Sequence, residues 1–317
     1  VIKLKVFVLA PKENWICDRF VSEWKENHQE SITENPHEAD VIWLLADWCW
    51  NHLPHTLLST KKVLASVHHI VPEKFGINEQ REFKVRDSLI DYYHVPCLKT
   101  RDQVSSLTKK PIFCNPFWVN GSVWSEKRDQ KKELRKKYGI KDDCYLIGSF
   151  QRDTEGHDLI SPKLEKGPDL FCDAVIERRN SRSDKGMTEV EVLLAGWRRQ
   201  YVMKRLDDAK INYHYFELPE LSTINDFYSI LDLYIVAARY EGGPQAIFEC
   251  AETKTPIIST DVGAASMILN RKSIFTPGES LLAKPDTEYC KNSVEKYLMP
   301  QGFSPFDDFM KKIHEKN

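Results

Sequence analysis

Two carboxylates eight residues apart, Glu241 and Glu249, bracket Gly242-Gly243-Pro244 in the stretch Arg239-Tyr-Glu-Gly-Gly-Pro-Gln-Ala-Ile-Phe-Glu249. A carboxylate accepts hydrogen bonds from a pair of vicinal hydroxyls. Glycines let the backbone turn sharply and bring its N–H groups close to a ligand, because no Cβ stands in the way. A helix opening just after them aims unsatisfied N–H groups and the positive end of its dipole at the turn, which favours an anion. Diol acceptors beside an anion cradle suit a molecule that is part sugar and part phosphate, a sugar nucleotide.

The flanking residues supply the elements that hold these groups. Leu231-Asp-Leu-Tyr-Ile-Val-Ala-Ala238 is an apolar segment rich in strand formers. Pro244 suits the first turn of a helix, where its missing N–H is no loss. Ala246, Ile247, Phe248, Cys250 and Ala251 give that helix a buried side, and Lys254-Thr-Pro256 ends it. Ile257-Ile-Ser-Thr260 reads as the next strand. The unit is strand, glycine turn, helix, strand, with Glu241 in the turn and Glu249 in the second helical turn.

Glu-Gly-Gly-Pro-x-Ala-Ile-x-Glu followed by Thr-Pro-Ile-Ile-Ser-Thr260 resembles the Glu-x7-Glu signature of retaining glycosyltransferases of family 4. The resemblance implies the GT-B fold, an α/β architecture of two Rossmann-like, doubly wound parallel-sheet domains facing a central cleft. It also implies that Glu249 binds the ribose diol and Glu241 the hydroxyls of the transferred sugar. Gly242, Gly243 and Pro244 would orient the donor through the main chain. The family's Gly-Arg…Lys-Gly pair, which neutralises the donor diphosphate, is matched in part by Gly148-Ser-Phe-Gln-Arg152 and Lys166-Gly167. Ser149 stands where an arginine commonly follows the glycine, and the loop to Lys166 is longer than usual. Arg152 is expected to reach in from three residues later; the alternative is that Arg152 and Lys163 are solvated loop charges.

Other matches are looser. Gly196-Trp-Arg-Arg199 stands at the family's third strand end, with Arg198 and Arg199 divided between phosphate contact and solvent. Tyr215-Phe-Glu-Leu218 falls where the family grips the nucleobase through main-chain groups, which brings in Phe216 and Leu218. Val262-Gly-Ala-Ala-Ser266 occupies a turn where relatives carry Gly-Gly-x-x-Glu, with Ser266 in place of the acid. In the first half, Val67-His-His-Ile-Val-Pro72 resembles a loop that places a histidine near the donor sugar and acceptor. His69 is favoured over His68, which extends the strand, and a structural role is the alternative for both. Asp47-Trp48 is a candidate acceptor contact; Trp48 and Trp50 either stack on a sugar or cover the core.

The function implied is retaining transfer of a sugar from a UDP- or GDP-type donor to a glycan, lipid or other hydroxyl acceptor. Lys166 and Arg152 would stabilise the departing diphosphate electrostatically, in place of a metal. The expected catalytic set is Glu241, Lys166, Arg152 and His69; the expected donor-binding set is Glu249, Gly242, Gly243, Pro244, Gly148, Ser149, Phe216 and Leu218. No metal ion or other cofactor is expected, because no Asp-x-Asp ends a strand and Pro54 separates His52 from His55. No Gly-x-Ser-x-Gly elbow supports serine hydrolysis. Two rivals remain: another nucleotide-sugar reaction such as epimerisation or phosphorolysis, and a catalytically silent GT-B domain that binds a sugar or a partner protein. The missing arginine after Gly148 keeps the second open.

At 317 residues the chain suits two domains, each with its own core. A formal net charge of −2 argues against nucleic-acid binding and leaves at most weak peripheral membrane contact. No apolar run approaches the roughly 20 residues that span a bilayer. The first ten residues alternate as a strand rather than a signal peptide, and eight scattered cysteines read as reduced core thiols, so a cytoplasmic protein is expected. Apolar strands at Lys5–Ala10, Ala39–Ala46, Lys62–Val67, Asp91–Pro96 and Pro111–Pro116, with a helix from Trp15 to Asn27, mark out a first domain at 1–125, which the resemblance makes the acceptor domain. The basic run Lys127 to Lys141 fills a linker and first helix at 126–143, read as a solvated face or an anion-binding surface. Strand alternation restarts at Cys144–Phe150 and marks out a second domain at 144–290, which the resemblance makes the donor domain. The resemblance also implies that the helical tail 291–317 crosses back to the first domain.

Overall fold

The computed structural model describes residues 4–13, 16–156 and 158–315; Val1–Lys3 of the first strand and Trp15 at the head of the first helix lie outside the described residues. The chain forms two compact units, one comprising residues up to Phe117 together with those from Pro300 onward, the other Trp118–Met299.

In the first unit five parallel strands, β1 (Val6–Leu9), β2 (Val41–Leu44), β3 (Lys62–Ser66), β4 (Tyr92–Val95) and β5 (Ile112–Cys114), lie in sequential order. Val-Ile-Trp-Leu of β2 is wholly buried, as expected of a parallel strand covered on both faces. The closing helix Ser304–Glu315 belongs to this unit. Its Phe306 stacks on Trp43 at 5.5 Å between ring centroids, and Phe309 on Phe113 at 4.6 Å. His28 Nε2 lies 2.9 Å from Asp307 Oδ1, which ties the same helix to the Ile16–Asn27 helix.

In the second unit the strands are β6 (Tyr145–Ser149), β7 (Val190–Ala195), β8 (Tyr213–Phe216), β9 (Leu233–Val236), β10 (Ile257–Thr260) and β11 (Ile274–Phe275). All pair in parallel, in the spatial order β11-β10-β9-β6-β7-β8. The chain runs outward from β6 to β8, then restarts on the other side of β6 with β9. Strand order therefore reverses between β6 and β9, and the crevice outside the carboxyl ends of the strands at such a reversal is where open α/β sheets take ligands. The first sheet has no such reversal. β11, only two residues long, is too short to show a period in the sequence.

The basic run is absorbed by the fold of this unit. Lys127 and Lys137 pair with Asp226 at 2.8 and 2.9 Å. Lys131 and Arg135 both pair with Asp232, Arg135 at 2.7 Å, and Arg128 donates to the Leu231 carbonyl at 3.1 Å. Its lysines and arginines mostly lock the Lys131–Lys137 helix onto the Leu221–Ile230 helix and the start of β9, which corrects the reading of a plain solvated face. The Thr287–Val294 helix also lies in this unit, with Lys291 2.6 Å from Glu252. No helix among the described residues is long and apolar enough to cross a membrane. All eight cysteines are unpaired, and all but Cys114 are buried.

Candidate functional site

The crevice at the β6–β9 reversal gathers most of the residues singled out above. Its floor is the end of β6. A Cβ on Gly148 would collide with the side chain of Leu231, so this glycine answers a packing demand. Ser149 is buried, and Arg199, itself 1% exposed, lies against it. The Arg199 guanidinium donates to the Ser149 carbonyl at 2.5 Å, to Ser149 Oγ at 3.1 Å, and to the Ala195 carbonyl at 2.7 Å. Its Nε donates to Asp153 Oδ2 at 3.1 Å. A buried cation thus clamps the ends of β6 and β7, balanced by a buried carboxylate. Burial pushes the Asp153 carboxyl up, and Arg199 opposes that shift only in part.

The segment between β6 and Lys166 is a folded excursion rather than a slack loop. Thr154 bridges antiparallel to Pro162, and Lys163 N donates to the Asp153 carbonyl at 2.8 Å. Arg152 turns along this excursion: its Nε donates to the Thr154 carbonyl at 2.8 Å, and its guanidinium lies 5.8 Å from the Trp197 ring centre. The chain returns through the short turn Leu164–Lys166 to Gly167, whose φ of 62° precedes the Pro168–Ser183 helix. A Cβ at Gly167 would run into the Ala237 carbonyl, so only glycine permits the turn to lie this close to β9.

The turn is stitched to the Arg239–Glu249 stretch. The N–H groups of Arg239 and Tyr240 donate to the Glu165 carbonyl at 2.8 and 3.1 Å. The Arg239 guanidinium grips Asp169 in bidentate fashion at 2.7 and 2.6 Å and also donates to the Leu164 carbonyl at 2.9 Å. Burial alone would raise the Asp169 carboxyl, yet the bonds and charge of Arg239 hold it below the usual carboxylate range. With the two loops fastened, Lys166 Nζ and Glu241 Oε1 form a half-buried ion pair. Gly263, at φ 53°, backs the turn from beneath, and a Cβ there would collide with the carbonyl oxygens of Glu241 and Gly242.

The helix itself spans Gln245–Glu252, with Pro244 just ahead of it in the capping position rather than in its first turn. Ile247, Phe248, Cys250 and Ala251 face the core, and Glu249 is buried among them. The Tyr228 hydroxyl donates to Glu249 Oε2 at 2.8 Å. Gly243 and Pro244 are half-buried and Gly242 is buried. Beyond β8, Phe216 packs on Phe227 at 4.7 Å, while Leu218 is 65% exposed with a left-handed φ of 47°.

His69 lies in the first unit, half-buried after β3. Its neighbour His68 has Nε2 2.9 Å from the Leu45 carbonyl, and its ring stacks on Phe117 at 5.4 Å. Asp47 is buried against Arg86 at 2.6 Å, and Trp50 is buried with Nε1 3.3 Å from Glu82. Trp48 is 45% exposed beside His68. Of the two tryptophans after β2, one covers the core and the other faces solvent. Among the described residues no three His, Cys, Asp or Glu side chains gather as a metal-ligand set.

Sequence reasoning missed Tyr228, Asp169 and the roles of Arg239, Arg199 and Gly263. Arg239 heads the quoted motif and Asp169 follows Lys166-Gly-Pro, but nothing local in the chain announces that they pair across 70 residues.

Residues 159–298, which include Lys166, Glu241 and Glu249, match the family model described as Glycosyl transferases group 1. LpsB of Rhizobium meliloti, a lipopolysaccharide core biosynthesis mannosyltransferase, is 27% identical over 146 residues, 44% of this chain. That match spans only 38% of the length of LpsB. The crystal structure of Anabaena HepE in complex with UDP superposes with a TM-score of 0.76 at 12% identity, over 98% of this chain and 100% of HepE. A glycosyltransferase from Rickettsia africae superposes with a TM-score of 0.70 at 13% identity over 100% of both chains. The fold is GT-B, and the matches support a glycosyltransferase on that fold.

Proposed function

We propose that the second unit binds a nucleotide-sugar donor and that the protein transfers its sugar to a hydroxyl acceptor with retention of configuration, as family 4 glycosyltransferases do. The observation that carries this reading is the convergence at the strand reversal: Lys166 is paired with Glu241, and the helix that follows Glu241 buries Glu249. In this reading Lys166 meets the donor diphosphate and stabilises the charge that develops as it leaves. Arg152 joins it from the excursion after β6. Glu241 accepts hydrogen bonds from the transferred sugar, and Glu249 from the ribose diol. The backbone at Gly242, Gly243 and Pro244 lies against the donor, and main-chain groups at Phe216 and Leu218 hold the base. Gly148 and Ser149 form the floor.

The reaction breaks the bond between the anomeric carbon and the diphosphate oxygen and forms one to the acceptor oxygen. The acceptor proton passes to the departing diphosphate. The acceptor, a glycan or another hydroxyl compound, is assigned to the first unit, where His69 and the exposed Trp48 follow strand ends. HepE was crystallised with UDP, and LpsB is named a mannosyltransferase of lipopolysaccharide core biosynthesis. The first supports a UDP-linked donor and the second a saccharide acceptor.

The test is a panel of UDP- and GDP-sugars offered to the purified protein, read by thermal shift and by release of nucleoside diphosphate. A bound donor at about 100 times its dissociation constant stabilises by roughly 2.7 kcal/mol. Stabilisation and turnover by at least one donor, both lost in Glu249→Ala, is the expected result. Absence of binding across the panel, or turnover indifferent to Glu249→Ala, overturns the reading.

A further inference from the structure

Glu249 is a carboxylate in an apolar setting, only 7% exposed on a helix whose neighbouring residues Ile247, Phe248 and Cys250 are all core. A buried polar group so placed needs a hydrogen-bond partner. Tyr228, from the Leu221–Ile230 helix, donates to its Oε2 at 2.8 Å. The tyrosine is held on both of its polar ends. Its carbonyl accepts from Thr255 Oγ1 at 2.7 Å, Thr255 Oγ1 lies 2.7 Å from Thr253 Oγ1, and Thr253 Oγ1 donates to the Glu249 carbonyl at 2.9 Å. Tyr228 and Glu249 are thus joined directly through their side chains, and their backbone carbonyls are contacted by two threonine hydroxyls that lie side by side. The Tyr228 ring is wedged by Phe150 at 5.0 Å, Tyr234 at 5.4 Å and Trp124 at 5.7 Å.

We propose that Tyr228 is a positioning residue for nucleotide recognition: by fixing one carboxylate oxygen of Glu249 it sets the orientation in which the side chain receives the ribose diol. This rests on the donor-site reading of Glu249 given above. The hydroxyl is suited to the task because it remains a donor. Burial and the adjacent Glu249 charge push its ionisation well above that of an ordinary tyrosine. A fixed donor on one oxygen orients the carboxylate before the ligand arrives, which reduces the ordering that binding must otherwise impose. Tyr228 touches neither sugar nor phosphate in this account and acts through Glu249 alone.

Tyr228→Phe keeps the aromatic packing and deletes the donor, so the full chain carrying it is titrated calorimetrically with UDP, with GDP, and with the 2′,3′-dideoxy form of whichever binds. The expected result is roughly tenfold weaker binding of the ribonucleotide, the scale of one hydrogen bond to a charged group. Affinity for the dideoxy analogue, which lacks the diol, stays as in the wild type. In a double variant Glu249→Gln/Tyr228→Phe the second substitution adds no further loss. If Glu249→Gln weakens ribonucleotide binding while Tyr228→Phe does not, the positioning role is overturned and the donor site stands. If Tyr228→Phe weakens both nucleotides equally, or adds its full effect on top of Glu249→Gln, the tyrosine only supports the fold and the proposal fails. If the wild type binds neither UDP nor GDP, or Glu249→Gln is silent, the donor-site reading falls and takes this inference with it.

Discussion

Lys166 Nζ and Glu241 Oε1, 75 residues apart in the chain, are joined in an ion pair at the β6–β9 reversal. The pair sets two functions against each other. In the donor-site reading the ammonium that receives the diphosphate is held by the carboxylate that receives sugar hydroxyls, so Glu241 is an internal competitor for the anion. Glu241→Gln removes the competing charge and keeps the shape. A part-buried pair of this kind is worth on the order of 1 kcal/mol. Bare nucleoside diphosphate is therefore expected to bind about two- to tenfold more tightly to the variant, while sugar transfer falls by well over tenfold. Calorimetry beside a transfer assay checks both signs. Weaker diphosphate binding in the variant would contradict the competition.

The charge arrangement also bears on metals. Lys166 is half-buried at the Gly167 turn, and Arg152 lies on the excursion after β6. If they carry the charge of the leaving diphosphate, transfer should continue in excess chelator at close to its untreated rate, and Lys166→Ala should depress kcat by about 100-fold or more. Activity abolished by chelation and restored by manganese or magnesium alone would reverse the assignment.

Gly263 offers a test of the turn without touching a ligand group. Its φ of 53° disfavours any L side chain, and the added Cβ meets the carbonyls of Glu241 and Gly242. Gly263→Ala is expected to cost about 1–3 kcal/mol in stability. It should also displace Glu241 from Lys166, so that donor turnover falls even at temperatures where the variant is fully folded. Urea unfolding and turnover at 20 °C measure the two effects separately. A variant with wild-type stability would show that the turn relaxes freely.

The motif around Glu241 was legible because all its parts are local: an apolar strand, two glycines, a proline and a helix with one buried side lie within some twenty residues. The same holds for β2, β3, β6, β7 and β9, whose apolar runs read directly as buried parallel strands. What the sequence hid is what the chain brings together from afar. Gly242-Gly243 reads as the sharp turn, while the glycines sterically demanded beside it are Gly167, pressed against Ala237 far later in the chain, and Gly263, pressed against Glu241 and Gly242 before it. Arg199 read as an even choice between phosphate and solvent, and it is buried against Ser149 and Asp153. Lys127 to Lys141 read as a charged surface because its partners, Asp226 and Asp232, stand 89 to 101 residues downstream.

Those last pairs determine how the second unit responds to acid. Burial alone would raise Asp226, but hydrogen bonds from Lys127, Lys137 and Tyr138 hold it below the usual carboxylate range. Asp232 is likewise pushed up by burial and brought lower, on balance, by Lys131, the Leu146 N–H and Arg135. Each carboxyl is thus more acidic in the folded state than in the unfolded chain, where aspartate titrates near pH 3.9. The unfolded state then binds more protons as the pH falls, so the stability these pairs contribute is complete above about pH 5 and is lost on acidification below it. Urea unfolding measured from pH 7 to pH 3 is expected to show this loss. Asp232→Asn should lower stability at pH 7 by about 3 kcal/mol, because it leaves the buried Arg135 without its carboxylate. It should also flatten the acid limb, since one of the titrating groups is gone. An unchanged slope in Asp232→Asn would mean that the acid response arises elsewhere in the chain.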